Sequence, residues 1–347
     1  MEIEILGTET LGVRGLSTSI DRILIDPGVA LGFSRYNLHP HPVQAVVGDE
    51  VKGKIVSAWE SAEDIIISHL HGDHIPLLNP NPFQLGIEVL PSNSDARIWV
   101  KAEKFCRGVE RIRFTALKRR FGDQMVEAKP GVGDGLLEFI GPFPHTGRSN
   151  TMVLGTIVRK DGTLLHLSDA DISSWEVIRA AKRINPDFII ADGPSLYRLD
   201  REYMKSYLSR ASKLVNSCGS LIVDHHLMRC DEGVKWLNSL KKIGEGKCNV
   251  FSASEFMLRP FTMLEAWRRT LYRLIPVSNN WFRGDLLLKG LKDYCREIWP
   301  EIRRSMDEGR PHDEKSFEKV LRRALESARV EVEDFSDVHK VREALYG

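Results

Sequence analysis

No stretch of this 347-residue chain approaches the roughly 18 consecutive apolar residues of a membrane-spanning helix. The amino terminus, MEIEILGTET, carries acidic residues where a signal peptide needs basic ones. An excess of one charge is also missing: 49 Lys and Arg stand against 48 Asp and Glu, a formal net charge of +1. That balance excludes a global pull toward nucleic acid or membrane and confines any basic patch to a local segment. Cysteine is scarce. The five present (Cys106, Cys218, Cys230, Cys248, Cys295) are odd in number, widely spaced and never in a C-x-x-C pair. They argue against both a disulfide framework and a cysteine-rich zinc ribbon. The expectation is a soluble chain in a reducing cytoplasm. No internal repeat and no low-complexity tract is visible. The glycine-rich GVGDG at 131–135 lacks the lysine of a phosphate loop and the spacing of a dinucleotide fingerprint, so it predicts a tight turn before a strand.

What is present is a succession of short β-branched runs at 2–6, 22–26, 64–68, 86–90, 136–140, 151–158 and 163–167, each predicted as a strand. From there the pattern alternates: helices at 173–184, 200–216 and 231–243, and strands at 187–191, 220–224 and 248–252. This is α/β order. Residues 254–274 predict a helix broken or kinked at Pro260, and Pro276 closes the segment. The expected boundary lies there, between a main domain of 1–275 and a helical extension of 276–347. In the extension Phe317, Val320, Leu321, Ala324, Leu325 and Ala328 fall at helical spacing.

The strongest signal is ISHLHGDHIP, where the apolar run DIIIS leads straight into His69, His71, Asp73 and His74. His69 and His71 lie two apart at a strand end and can point the same way, while a turn at Gly72 swings Asp73 and His74 round as a second pair. One short loop can thus serve two adjacent metal ions. Imidazole and carboxylate suit zinc first, with iron or manganese as alternatives. Further ligands must come from other strand ends, and the chain offers Asp26 after ILI, His145 in GPFPHTGRSN, Asp169 after LLHLS, and His225 after LIVD. Each has a bland alternative as a turn residue, a loop residue, a helix cap or a buried hydrogen-bonded histidine. Together, in this order around HLHGDH, they favour a metal centre.

ILIDPG, HLHGDH, His145, LSD and LIVDHH resemble the five successive motifs of the metallo-β-lactamase superfamily, over roughly 1–274. DPGVALGFSRYNLHPHP, LKRRF, ADGPSLYR and DHHLMR are similar to an archaeal branch of it. The resemblance implies an α/β fold, a four-layer αββα sandwich with the metals at one edge between the sheets. It implies that His69, His71 and His145 hold one ion, that Asp73, His74 and His225 hold the other, and that Asp169 bridges the two. Asp26 would orient a ligand. An aspartate rather than a cysteine at 169 resembles the hydrolase and nuclease branches more than the true β-lactamases. Two departures stand out. The fifth motif carries both His225 and His226, and HLHGDH runs into the proline-rich LLNPNPFQLG, which predicts a rigid loop in place of a helix start.

The implied activity is metal-dependent hydrolysis by a hydroxide on two divalent transition-metal ions, which lower the pKa of water toward about 7 and polarise the bond under attack. Asp73 is the expected ligand and proton acceptor, and His226 is either a hydrogen-bonded structural histidine or the group that protonates the leaving group. His225 is the expected ligand of the pair, because neighbouring side chains in extended backbone point to opposite faces. The expected substrate is a phosphate ester, a phosphodiester or another small ester. Between Arg97 and Arg120, nine Lys or Arg face two Glu, with Phe105, Phe114 and Phe121 interleaved. This segment is either a solvated face or a hold on RNA or DNA, and the second reading makes the protein a nuclease. Only 55 residues separate Asp169 from His225, too few for the extra domain of the superfamily's large RNA-processing nucleases. A metal-binding protein without catalysis is the third reading.

Overall fold

The computed structural model describes residues 1–93, 95–147, 150–283 and 285–328. The first sheet holds β1 (Ile3–Gly7), β2 (Ser17–Ile20), β3 (Ile23–Ile25), β4 (Asp64–Ile67), β5 (Arg97–Lys101) and β6 (Met125–Ala128), in that spatial order. The second holds β7 (Leu137–Pro144), β8 (Met152–Arg159), β9 (Thr163–Ser168), β10 (Phe188–Asp192), β11 (Ser220–Asp224) and β12 (Asn249–Phe251), also ordered by sequence. In each sheet the first three strands pair antiparallel and the last four parallel. The architecture is therefore duplicated, although no repeat is visible in the residues.

Side-chain alternation places the layers. Ile23, Ile25, Ile66 and Trp99 of the first sheet share a cluster with Leu164, Ile190 and Ile222 of the second, which is the seam between the sheets. Their neighbours Leu24, Ile65, Ile98, Leu165, Ile189 and Leu221 belong to the other cluster, under the helices. Strands buried on both faces must be apolar throughout, which is why DIII and LIV read as continuous runs. The outer layers include α1 (Pro42–Ser61), α2 (Val109–Phe121), α3 (Trp175–Ile184), α4 (Arg201–Ala211) and α5 (Asp231–Gly244). The fold is the expected αββα sandwich with a C-terminal helical extension.

Several details differ from expectation. Residues 86–90 form a 3-10 turn at Ile87–Val89 in place of a strand, because their backbone bridges to Leu77 in the loop after HLHGDH rather than joining a ladder. The segment 254–274 is two short helices, α6 (Ala253–Phe256) and α7 (Arg268–Leu274), with irregular chain around Pro260. α1, for which the sequence analysis predicts no element, starts at a capping box of His41 and Gln44 with Pro42 in the first turn, and buries Val43, Val47, Val51, Ile55 and Trp59 at four-residue intervals. The extension supplies α8 (Asp285–Gly309) and α9 (Glu314–Ser327). Trp267 stacks on Phe317 with ring centroids 4.8 Å apart, and Trp281 Nε1 donates to the Pro40 carbonyl at 2.8 Å, so the extension is packed onto the layers before it. Residues 329–347 of the predicted extension, and Arg148 and Ser149 of the GPFPHTGRSN motif, lie outside the described residues. Among the described residues, no helix is long and apolar enough to cross a membrane.

Candidate metal centre

Strand ends deliver the site. β3, β4, β9, β10 and β11 stop at one edge of the sandwich and present Asp26, His69, Asp169, Asp192 and His225 there. Three exit positions take left-handed backbone without being glycine: Asp26 (φ 50°), Ser168 (φ 50°) and His225 (φ 56°). Such strain costs about 1–3 kcal/mol each and persists where surrounding bonds over-determine it. Asp26 illustrates this. Its carboxylate accepts the Ser68 amide at 2.9 Å and the hydroxyls of Ser68 and Ser168, and faces His74 Nδ1 at 3.0 Å. The DPG turn that follows needs its glycine, since a Cβ on Gly28 would collide with the backbone of His74 and Ile75.

All seven residues expected as ligands converge. His69, His71, His145 and Asp169 form one group whose ligand atoms lie within 4.8 Å of one another, and Asp73, His74 and His225 form a second. Asp26 with His69 and His74, and Asp169 with His225 and His226, complete overlapping groups. Asp169 stands at the centre: its Oδ2 is 3.1 Å from His145 Nε2, 3.3 Å from His74 Nε2, 3.4 Å from His225 Nε2 and 3.6 Å from His69 Nε2. Each of those four rings is anchored outward through Nδ1, to the Thr146 carbonyl for His145 (2.6 Å), Asp26 for His74, Glu9 for His225 (2.7 Å) and Ser68 Oγ for His69 (3.0 Å). An oxygen behind one ring nitrogen fixes the tautomer and leaves the other nitrogen as a ligand.

The donor set fits a metal. Both oxygens of Asp169 and Nε2 of His69 are buried without a hydrogen-bond partner among the described residues. An orphaned buried polar atom costs about 1–3 kcal/mol, so three in contact call for a ligand. The electrostatics agree. His74 is fully buried, which opposes its charge, yet the carboxylates of Asp169 and Asp26 on either side raise its pKa to about 10. His225 is driven well up in the same way, between Asp169 and Glu9. Burial first, and then neighbouring imidazoles, push His69 well down and His71 to about 4. The centre is an anionic pit that holds protons where cations would sit.

His226 departs from expectation in one respect. It points to the same side as His225, with ring centroids 4.2 Å apart, because the chain leaves β11 by a sharp 3-10 turn over His225–Arg229 rather than continuing extended. Its Nδ1 is engaged by Asp192 Oδ2 at 2.6 Å, and Asp192 Oδ1 accepts its amide at 2.7 Å. Burial, together with the nearby charge of Asp169, pushes Asp192 well up, and burial pushes His226 well down.

No protein-family model matches the chain. Known relatives do. A UPF0282 protein of Methanosarcina mazei is 35% identical over 307 residues, which cover 85% of this chain and 99% of that one. The chain belongs to the UPF0282 family. A second UPF0282 protein, from Korarchaeum cryptofilum, is 31% identical over 304 residues, covering 82% and 98%, and a third from Pyrococcus furiosus is 31% identical over 304 residues, covering 78% and 92%. These relatives are archaeal, as the sequence resemblance expected. Among solved structures, the crystal structure of isothiocyanate hydrolase from Delia radicum gut bacteria is similar at a TM-score of 0.41 and 15% identity, over 69% of this chain and 94% of that one.

In this UPF0282 member the basic segment is partly spent on structure. Lys101 is fully buried and donates to Glu110 Oε1 at 2.6 Å, Glu110 accepts the Leu70 amide at 3.0 Å, and Arg113 donates to the Leu70 carbonyl at 2.8 Å. Leu70 lies between His69 and His71, so α2 clamps the HLHGDH loop. Arg97 pairs with Asp64 and Asp134. Phe121 is core, and Phe114 packs against it. Glu9, Arg229 and Asp192 join the site without a role predicted from the sequence. Asp192 ends an apolar strand in aspartate, as Asp26 and Asp169 follow theirs, and that pattern could have found it. Glu9 and Arg229 carry no such signal. Glu9 joins Arg229 Nε at 2.6 Å and His225 Nδ1, and Arg229 reaches Asp73 at 3.7 Å. Glu9→Gln should weaken metal retention about 10- to 100-fold, the usual effect of losing an outer carboxylate; a metal dissociation constant equal to wild type would contradict this role.

Proposed function

We propose that this UPF0282 protein is a binuclear metal-dependent hydrolase of metallo-β-lactamase type, acting on a small phosphate ester, phosphodiester or related ester. The observation that carries the reading is the ring of inward-facing imidazole nitrogens around the orphaned carboxylate of Asp169. His69, His71 and His145 would hold one ion, Asp73, His74 and His225 the other, and Asp169 would serve both. Zinc is the first choice for this donor set, with iron or manganese next. The ions would supply Lewis acidity and a water of lowered pKa.

The chain's own groups do the rest. Asp26, Glu9, Thr146 and Ser68 orient the imidazoles, and Asp73, half-buried and kept ionised by His74, His225 and Arg229, accepts a proton at its carboxylate. A cavity of about 540 Å³ opens beside the centre, bordered by His71, His145 and His226 on one side and by Arg198, Tyr203 and Tyr207 on the other. That volume suits a small molecule. Arg198 is exposed at the rim and suits an anionic group. His226, buttressed by Asp192 and lining the cavity, is placed to move the leaving group's proton.

The test is a panel of chromogenic phosphodiesters, phosphomonoesters, esters and lactones given to metal-replete protein. Turnover of at least one class, abolished by chelator and restored by zinc, iron or manganese, is expected. Silence across the panel with metal fully bound would favour a non-catalytic metal protein. Salt-dependent oligonucleotide binding through the 97–120 segment would instead mark a nuclease. The two neighbouring histidines separate by metal content: His225→Ala should lose metal from one site, while His226→Ala should keep both ions and lose about 10²- to 10⁴-fold in rate, the usual share of a proton-transfer group. The opposite pattern would move the ligand to His226.

A further inference from the structure

We propose that Cys218 and Cys248 form an oxidisable thiol pair whose disulfide closes the segment carrying His225, His226 and Arg229. The two are far apart in sequence, yet their sulfurs lie 3.6 Å apart in the interior. The reason is strand register. β11 and β12 are parallel neighbours, Ser220 opposite Asn249, and the Asn249 amide donates to the Gly219 carbonyl at 2.9 Å, so both cysteines sit where these strands begin. That end is opposite the metal edge, and neither sulfur serves the centre. Sulfurs already in van der Waals contact need an approach of about 1.5 Å to reach the 2.05 Å of a disulfide.

The pair is also chemically asymmetric. The hydrogen bond between the thiols pushes Cys218 up and holds Cys248 below the ordinary thiol range. Cys248 is then the attacking thiolate. It displaces one thiolate from a low-molecular-weight disulfide, RSSR, to give a mixed disulfide. Cys218, losing its proton, attacks the Cys248 sulfur and releases the second RS group. In sum two protein thiols are oxidised and RSSR is reduced to two RSH. The bond would enclose β11, the His225–Arg229 turn and α5, a loop with a span of 30 residues. Restricting that loop in the unfolded chain stabilises the folded one.

The experiment uses the full metal-replete chain, equilibrated in defined ratios of oxidised and reduced glutathione at about 10 °C below its melting temperature. Thiol titration after denaturation should fall from five to three. Peptide mass spectrometry without reductant should show a Cys218–Cys248 link, and the melting temperature should rise by about 5 °C. Cys248→Ala should show neither link nor rise, and the wild-type peptide map stands even if that variant folds poorly. Five free thiols at the most oxidising ratio, glutathione adducts without a link, or a link between other cysteines would each overturn the proposal.

Discussion

Asp169→Ala should lose turnover by about 10²- to 10⁴-fold while keeping a larger share of its metal. The estimate takes the several kcal/mol of transition-state charge stabilisation that correctly spaced ions supply, about 3–5 kcal/mol, converted at about 1.4 kcal/mol per tenfold. Asp169 is 1% exposed, and its Oδ2 lies within 3.4 Å of imidazoles from both groups of candidate ligands. Alanine therefore leaves each group its own imidazoles but removes the carboxylate that lies between them. In the proposed binuclear centre this would change the spacing and the charge between the ions together, and hydrolysis there would depend on both. Near wild-type turnover in this variant, measured on whichever substrate the panel yields, would remove Asp169 from the centre of the account.

Chelation should lower the melting temperature by about 10 °C or more. Each ion bound at about a thousand times its dissociation constant stabilises the native state by about 4 kcal/mol, and a domain of this size shifts by about 2 °C per kcal/mol. The stripped centre keeps Asp26, Asp73, Asp169 and Glu9 close together, with protons on His74 and His225 as partial substitutes. His74 faces Asp26 and Asp169 and the rings of His69 and His225, and its folded pKa is about 10 against an ordinary 6.5. A raised histidine contributes stability that is complete below about 6.5 and is lost as pH rises toward 10. The gap between metal-replete and stripped protein should thus widen from pH 6 to pH 9. A melting temperature indifferent to saturating chelator would count against tight sites.

Much of the centre could be read from the chain because its residues follow apolar strands, and a strand buried on both faces has an unmistakable composition. Asp26, His69, Asp169 and His225 all stand just beyond such runs. The loop character of LLNPNPFQLG and the turn at GVGDG followed from proline and glycine chemistry in the same way. The second tier was hidden. Glu9 meets His225 across 216 residues and Arg229 across 220, and only the folded β1–β2 connection brings them together. Geometry also misled at one point. The strand rule separated His225 from His226, but left-handed backbone at His225 turns both rings to the same side. The valines and isoleucine of α1 favour strands by type, although their four-residue spacing is helical. The contact between Cys218 and Cys248 likewise depends on strand register, which spacing does not express.

The account stands on a metal-binding edge, and elemental analysis of the full chain purified without chelator tests it most directly. Seven candidate ligands around one orphaned carboxylate predict about two transition-metal ions per chain, summed over zinc, iron and manganese. A reading near zero for all three, in folded protein that also fails to take up added metal, would contradict it.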